Sequence, residues 1–319
     1  MEATTSGFHE LKNEKTTNIG ENKGSMKKKE ITAFKGKASL KIEETTAASY
    51  WFVFCKTDLL LTQAEDGSCT IPYGPQPPVE IKPWTHIMSI TPMADGTNVR
   101  AFRVDDPAEV SPKQFSEATQ GHPLWCGLRA SYYKVPMEFY LKAGKSQELL
   151  YWDANSRFCG VCGAPTRMDT VISKKCTVCG KEIWPQLSTA VIVLIHRGDE
   201  VLLVRAKNFK TDFYGLVAGF VETGETLEEA VHREVLEETG LTINHLQYFG
   251  SQPWPYPCGL MVGFYAEYVS GDIQLQKEEL SKGAWFHHDR LPTIPEKLSI
   301  ARKLIDHWLE TFEDRDRSL

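Results

Sequence analysis

The chain has 319 residues, 41% hydrophobic and 24% charged, which suits two globular domains better than one. Its formal net charge of -6 argues against non-specific nucleic-acid binding by the whole surface, and no apolar run is long enough to span a bilayer. Neither a secretory signal nor a peroxisomal tripeptide is found, so we expect a cytoplasmic protein.

The first part of the chain divides into a polar tail and a β-rich domain. Residues 1–45 contain mostly Lys, Glu, Thr, Asn and Gly with few aromatic anchors, which predicts a disordered tail. Residues 46–150 are predicted to form an N-terminal domain, with strands near 51–54, 59–61 and 87–90. A helix is predicted over residues 147–158. This domain shows no motif that indicates a chemical role.

Two C-x-x-C pairs follow, and we assign residues 157–182 to a zinc ribbon. Thirteen residues separate the pairs, which is the spacing of a four-thiolate zinc site; free thiols or redox pairs are the alternative. Four cysteine ligands would close the coordination shell, so the zinc is expected to be structural. Basic residues in this segment are either a solvated surface or an approach for RNA. The predicted ligands are Cys159, Cys162, Cys176 and Cys179.

The remaining chain, residues 186–315, alternates strands and helices. Strands are predicted at 190–195, 201–204, 216–221, 261–269 and 284–286, and helices at 226–239 and 298–309. The predicted fold class is therefore α+β, with an α/β/α sandwich preceded by the zinc ribbon and the β-rich domain.

The helix at 226–239 carries a cluster of glutamates. Thr226 and Glu229 form a capping box that starts the helix, and Gly240 ends it. Glu234 and Glu238 are four residues apart and lie on one side, so their charges repel unless a cation is bound. Carboxylate oxygens suit Mg²⁺ or Mn²⁺. The alternative is a solvated acidic face.

A proline-rich segment follows at residues 251–257, with the sequence SQPWPYP. Its three alternating prolines stiffen the chain in an extended form, so Trp254 and Tyr256 are expected to be displayed. Rigid aromatic faces suit stacking on a planar base; packing against a neighbouring strand, or a surface polyproline ligand, is the alternative.

The glutamate helix and the loop before it resemble the Nudix box, G-x5-E-x7-R-E-U-x-E-E-x-G-U, where U is aliphatic. Every defined position matches: Gly219, Glu225, Arg233, Glu234, Val235, Glu237, Glu238, Gly240 and Leu241. The resemblance implies a Nudix fold and metal-dependent hydrolysis of a nucleoside diphosphate derivative. It also implies that Glu234, Glu237 and Glu238 hold the catalytic metal. Arg233 would orient a carboxylate, and either Glu237 or Glu279 would be the base.

With the proline-rich segment and the cysteine pairs, the sequence is similar to the NADH pyrophosphatase branch of that superfamily. This similarity implies cleavage of NADH or NAD to a nicotinamide mononucleotide and AMP, with NAD-capped RNA as a plausible further substrate. It also suggests a homodimer and makes Glu279, with Glu278 as its neighbour, a further acidic ligand. The implied substrate contacts are Phe220, Gln252, Pro253, Trp254, Pro255, Tyr256, Pro257, Cys258, Gly259, Glu279 and Ala301.

The sequence departs from the pattern of that branch in two places. Cys258 and Gly259 stand where the branch usually has a polar residue and a serine, and Gln186 follows Trp184 and Pro185 where an arginine is common. These changes affect substrate choice more than reaction class. Two other functions stay open: a Nudix hydrolase of ADP-ribose or another nucleotide, and a non-catalytic zinc-ribbon module that binds RNA ends.

Overall fold

The structure is a computed structural model that describes residues 47–208 and 212–317, with the side chains of 313–317 left out. The tail predicted at residues 1–45 lies outside the described residues. Among the described helices, none combines the length and apolar composition needed to cross a membrane.

The N-terminal part is built on a seven-stranded sheet with the order β3-β2-β1-β6-β5, in which β4 also pairs with β1 and β7 with β2. The three strands predicted from sequence are confirmed. The strands are β1 (Ser49–Cys55), β2 (Asp58–Gln63), β3 (Cys69–Thr70), β4 (Tyr73–Gly74), β5 (Met88–Ile90), β6 (Asn98–Val104) and β7 (His122–Gly127).

Three helices accompany this sheet, α1 (Pro112–Thr119), α2 (Leu128–Ser131) and α3 (Met137–Asn155), with a 3₁₀ turn at Pro107–Glu109. The helix predicted over 147–158 is α3, but it begins ten residues earlier than expected. Phe139, Tyr140 and Ala143 in its first half are buried against the sheet. The first half was missed because Gly144 and scattered polar residues obscure the helical period.

The cysteine segment forms a three-stranded sheet of β8 (Thr166–Thr170), β9 (Ser173–Cys176) and β10 (Glu182–Ile183), in the order β10-β9-β8. Few of its side chains are buried, as expected for a unit too small to bury a core of its own.

The C-terminal part contains a six-stranded mixed sheet between two helices. Its path is β14-β15-β11-β12-β16, and β13 pairs with β11. Apolar residues on one face pack with α4 and those on the other with α5, which confirms the predicted α/β/α arrangement. The elements are β11 (Ser188–Arg197), β12 (Glu200–Ala206), β13 (Val217–Phe220), α4 (Leu227–Thr239), β14 (Thr242–Trp254), β15 (Gly259–Ser270), β16 (Leu280–His287) and α5 (Ile300–Arg317).

The ends of α4 follow the predicted signals. The Thr226 hydroxyl accepts a hydrogen bond from the Glu229 N–H, and the Glu229 carboxylate accepts one from the Thr226 N–H. Gly240 ends the helix in the left-handed conformation, with φ of 71°. These local contacts fix where the glutamates of the helix lie along its axis.

A buried ion pair joins the ribbon to α3. Lys174 on β9 is 3% exposed, and its ammonium lies 2.6 Å from the Asp153 carboxylate and donates to the Asp153 carbonyl. His86 contacts the same carboxylate at 3.1 Å. Burial raises the pKa of Asp153, but hydrogen bonds from His86 and Lys174 outweigh it and lower the pKa to about 2.

We expect Asp153→Asn to remove a stabilisation of about 2 kcal/mol at neutral pH. Because the folded pKa is lower than the usual 3.8, this contribution is present above pH 4 and is lost as the pH falls towards 2. Denaturant unfolding of both proteins between pH 2 and 7 measures it. The exposed Asp169→Asn is the control, and a wild-type advantage that does not shrink at low pH would contradict the prediction.

Candidate active site

The centre of the glutamate helix is organised by Arg233. Its guanidinium bonds the Glu225 carboxylate through two nitrogens, at 2.5 and 2.9 Å, and also donates to the Phe220 carbonyl. A further nitrogen reaches Glu234 at 2.9 Å and Glu237 at 3.1 Å. Arg233 therefore joins the loop after β13 to two of the predicted metal ligands, and its hydrogen bonds lower the pKa of Glu225 to about 2.

Glu238 lies on the buried side of the same helix and is 4% exposed. Burial, and then the charges of Glu234, Glu279 and Glu237, raise the pKa of Glu238 to about 8. Burial likewise raises the pKa of Glu234, against the opposing effect of Arg233. These carboxylates are crowded enough to disfavour their ionised forms, which a divalent cation would reverse.

The Glu234 carboxylate lies directly against the backbone of β13. A Cβ atom on Gly219 would overlap that carboxylate, so only glycine fits there. The glycine of the motif is thus explained by a close approach between strand and helix.

The remaining predicted ligand, Glu279, comes from the turn before β16. Glu238, Glu278 and Glu279 line a cleft of about 430 Å³, which we call the acidic cleft; Lys207 and Ala218 also line it. The charge of Glu279 raises the pKa of both Glu234 and Glu238, and this favours Glu279 over Glu278 as the further metal ligand. Among the described residues, the ligand oxygens of these glutamates do not form a group as tight as the four cysteines.

The proline-rich segment is held by the N-terminal part of the chain. The Tyr256 hydroxyl lies 3.1 Å from the Tyr140 hydroxyl of α3, and the Arg129 guanidinium lies over the Trp254 ring, 5.4 Å from its centre. Pro255 is buried against Gly144, where an added Cβ would lie 3.1 Å from the proline ring. Trp254 and Tyr256 are therefore both half-buried, and residues 255–258 form a turn. The expectation of an extended segment that displays both rings is wrong, because contacts with the N-terminal part bury part of each ring.

The other predicted substrate contacts separate into exposed and buried groups. The Phe220 ring is 65% exposed at the end of β13, next to the Arg233 network. Gln252 and Ala301 are each 8% exposed. Gln252 donates to the Leu298 carbonyl through Nε2, while its Oε1 is buried and finds no hydrogen-bond partner in the described part of the chain. Cys258 is half-buried beside Ser188.

The four predicted cysteine ligands do come together. Their sulfur atoms all lie within 4.8 Å of one another, with 3.6 Å between Cys159 and Cys179 and 3.4 Å between Cys162 and Cys176. Backbone N–H groups of Val178 and Cys179 lower the pKa of Cys176 to about 6. Four sulfurs at this spacing match the donor set and the size of a tetrahedral zinc site.

Comparison with known proteins identifies both halves of the chain. A family model described as "NUDIX domain" matches residues 186–309, and one described as "NADH pyrophosphatase-like rudimentary NUDIX domain" matches residues 48–152. A NAD-capped RNA hydrolase NudC of Stutzerimonas stutzeri is 41% identical over 67% of this chain and 75% of its own length. A protein of the same name from Pseudomonas aeruginosa is 44% identical over 67% of this chain and 74% of its own length.

The chain belongs to the Nudix family. The C-terminal sandwich is its Nudix domain. The match of the N-terminal domain and the similarity to the relatives above place the chain in the NADH pyrophosphatase branch. A Nudix hydrolase of Nitrosomonas europaea, among the solved structures, aligns with a TM-score of 0.42 and 23% identity over 48% of this chain and 90% of that one.

The comparison also assigns the N-terminal domain, in which the sequence showed no motif. Its match to a rudimentary Nudix domain explains why a second mixed sheet precedes the ribbon. Sequence reasoning missed Arg129, Tyr140 and Gly144, which contact the proline-rich segment from this domain. No sequence motif identifies these three residues, because they contact the proline-rich segment across more than one hundred positions of the chain.

We expect the Nudix domain to depend on the Tyr140 contact for substrate affinity. Tyr140→Phe removes one hydrogen bond of about 1 kcal/mol, so kcat/KM for the substrate should fall about fivefold, mainly through KM. Steady-state kinetics measures this, with Tyr73→Phe on the same domain as the control. An unchanged KM would show that the hydroxyl pair does not position the segment.

Loss of metal from the ribbon is expected to destabilise the Nudix protein. Cys176→Ser removes a thiolate, so the zinc content should fall and Tm should drop by roughly 10 °C. Elemental analysis and thermal unfolding measure both quantities, and Cys69→Ser, outside the cluster, is the control. A variant with no zinc and an unchanged Tm would rule out a structural role.

Proposed function

We propose that the protein hydrolyses the diphosphate bond of NADH or NAD to a nicotinamide mononucleotide and AMP. We propose that it also cleaves the same bond in NAD-capped RNA, which releases nicotinamide mononucleotide and leaves a 5′-monophosphate on the RNA. The observation that carries this proposal is the juxtaposition of an Arg233-organised glutamate set with an exposed aromatic ring, Phe220. The relatives at 41% and 44% identity, named as NAD-capped RNA hydrolases, support it.

The glutamates supply the chemistry. Glu234, Glu237, Glu238 and Glu279 would hold Mg²⁺ or Mn²⁺, which neutralises the diphosphate oxygens and lowers the pKa of a bound water. Glu237 is the most exposed of the three predicted metal ligands on the helix, at 54% for its side chain against 13% for Glu234, so it can accept the proton of an attacking water. Glu279 is the other candidate base, since it borders the acidic cleft.

Arg233 acts through these carboxylates. By bonding Glu225, it fixes the loop that ends at the helix, and by bonding Glu234 and Glu237 it fixes the direction in which their oxygens point. The proline-rich segment and Phe220 would bind the planar rings of the dinucleotide. In this arrangement the charged groups would contact the diphosphate, and the aromatic side chains would contact the planar rings of the dinucleotide.

The domain arrangement and assembly form part of the proposal. We assign residues 46–150 to the rudimentary domain, 157–182 to the zinc ribbon and 186–315 to the catalytic domain. Large apolar side chains of the ribbon and the segment after it are exposed, among them Val161 at 73% and Val178 at 76%. We take the homodimer from the similarity to the NADH pyrophosphatase branch, and exposed apolar side chains such as these would supply contacts to a second copy of the chain. Eight cysteines without a disulfide favour a cytoplasmic setting.

One assay separates this function from its alternatives. Purified protein is incubated with Mg²⁺ or Mn²⁺ and NADH, NAD, ADP-ribose or NAD-capped RNA, and the products are resolved by chromatography. AMP with a nicotinamide mononucleotide supports the proposal. Turnover of ADP-ribose alone would make the protein a different Nudix hydrolase. Tight RNA binding with no turnover of any substrate would leave the zinc-ribbon binding module.

A further inference from the structure

A single lysine lies among the glutamates of the acidic cleft. Lys207 directly follows β12 and lines the cleft together with Glu238, Glu278 and Glu279. Of the described residues that line the cleft, Lys207 alone is basic. Its side chain is exposed, and its ammonium makes no ion pair or hydrogen bond in the described part of the chain. An ammonium that stays unpaired while three carboxyl groups line the same cleft is available to an anion.

The backbone of Lys207 is held against the turn that carries Glu279. The Lys207 N–H donates to the Glu279 carbonyl at 2.8 Å. Just before it, the register of β12 and β16 shifts between Arg205 and Ala206, which leaves Ser281 as an extra residue on β16. A bulge of this kind bends the strand and redirects side chains, and it is common next to active sites. The Lys207 side chain therefore starts from a fixed point beside a predicted metal ligand.

Arg233, a second basic side chain beside the glutamates, cannot take the same role. All three of its guanidinium nitrogens donate to protein oxygens, those of Glu225, Glu234, Glu237 and the Phe220 carbonyl. An anion that bound Arg233 would have to displace these bonds, which hold the predicted metal ligands in place. Lys207 can bind an anion without such a loss.

The charge of the cleft determines when an anion can enter it. The carboxylates that line the cleft repel a diphosphate, which is itself an anion. A divalent cation held by the glutamates reverses this repulsion, and it coordinates only some of the diphosphate oxygens. An ammonium on a flexible four-carbon stem can bind a further oxygen as a point charge, which is a common use of lysine in phosphate sites.

We propose that Lys207 binds an oxygen of the substrate diphosphate once the glutamates hold the divalent cation. This inference rests on the proposed function, because it places the diphosphate in the acidic cleft. It makes Lys207 a substrate-binding residue for the part that NADH, NAD and NAD-capped RNA share, whatever bases they carry.

Lys207→Gln tests the contact, because glutamine stays polar but removes the charge. KM for NAD should rise about tenfold, the effect of losing one charge-assisted hydrogen bond. Tm should stay unchanged, because the ammonium has no partner among the described residues. Lys207→Arg keeps a cationic donor and should hold KM within about threefold of the wild type. The matched control is Lys282→Gln, exposed on β16 and not among the residues that line the cleft.

Binding without turnover separates this inference from the proposed function. Calorimetry measures the affinity for α,β-methylene-ADP, whose P–C–P bridge cannot be hydrolysed, at saturating Mn²⁺, and the affinity for Mn²⁺ alone. Lys207→Gln should weaken binding of the analogue about tenfold. Its affinity for Mn²⁺ should be unchanged or higher, because a nearby positive charge has been removed.

The outcomes are distinct. A wild-type protein that binds the analogue through Lys207 but does not hydrolyse NAD would contradict the proposed function alone. Unchanged binding of the analogue by Lys207→Gln, an equal loss in Lys282→Gln, or no binding by the wild type would overturn the role of Lys207.

Discussion

Glu238→Gln is expected to lower kcat by about a hundredfold to a thousandfold while leaving the fold intact. Glutamine keeps the size of the side chain but removes the charge that a divalent cation requires. The side chain is 4% exposed and its neighbours are carboxylates, so no other group of the helix can move into its place. Initial rates with NAD at saturating Mn²⁺ measure the change.

Stability gives this prediction a second readout. Because burial raises the pKa of Glu238 to about 8, the ionised carboxylate opposes folding in the metal-free protein. Glu238→Gln should therefore retain or raise Tm without metal, and should lose the increase in Tm that Mn²⁺ gives the wild type. A fall in both activity and metal-free Tm would indicate misfolding instead.

Glu237→Gln is expected to reduce kcat by a comparable factor for a different reason. Glu237 is exposed and bonded to Arg233, so its loss removes a candidate base and one ligand oxygen. The exposed Glu228→Gln, on the first turn of the same helix, is the matched control. If Glu279→Gln lowers kcat more than Glu237→Gln does, the base is Glu279. Near wild-type rates for both Glu237→Gln and Glu238→Gln would contradict the proposed mechanism.

Gly219→Ala is expected to reduce kcat/KM by at least about a hundredfold, although it adds a single methyl group. The new Cβ would overlap the Glu234 carboxylate, so the side chain must turn away from β13 and from Arg233. The overlap also forces strand and helix apart, and Tm should fall. Kinetics and thermal unfolding of the purified variant measure both effects.

Gly250→Ala is the control for that substitution. Gly250 also lies in a strand, β14, but nothing approaches within 4 Å of its added Cβ. It should leave kcat/KM within about twofold, as expected for a substitution away from strain or burial. Retention of activity in Gly219→Ala would mean that Glu234 does not need its position against β13.

Local signals in the sequence determined the parts of this protein that depend on neighbours along the chain. The capping box at Thr226, the stop at Gly240 and the four-residue spacing of Glu234 and Glu238 follow from helix geometry, which repeats every 3.6 residues. The two cysteine pairs predict a metal site in the same way, because each pair forms its own turn, and the structure brings the four sulfur atoms together. The long apolar strands were found because burial on both faces leaves an unbroken apolar run.

Only the tertiary structure decided which distant residues meet. Arg233 joins Glu225, Glu234 and Glu237, while Tyr140 reaches Tyr256 across 116 positions. The start of α3 and the burial of Tyr256 were misjudged for the same reason. Contacts of this kind depend on how sheets and helices pack, and packing leaves no periodic pattern in the sequence.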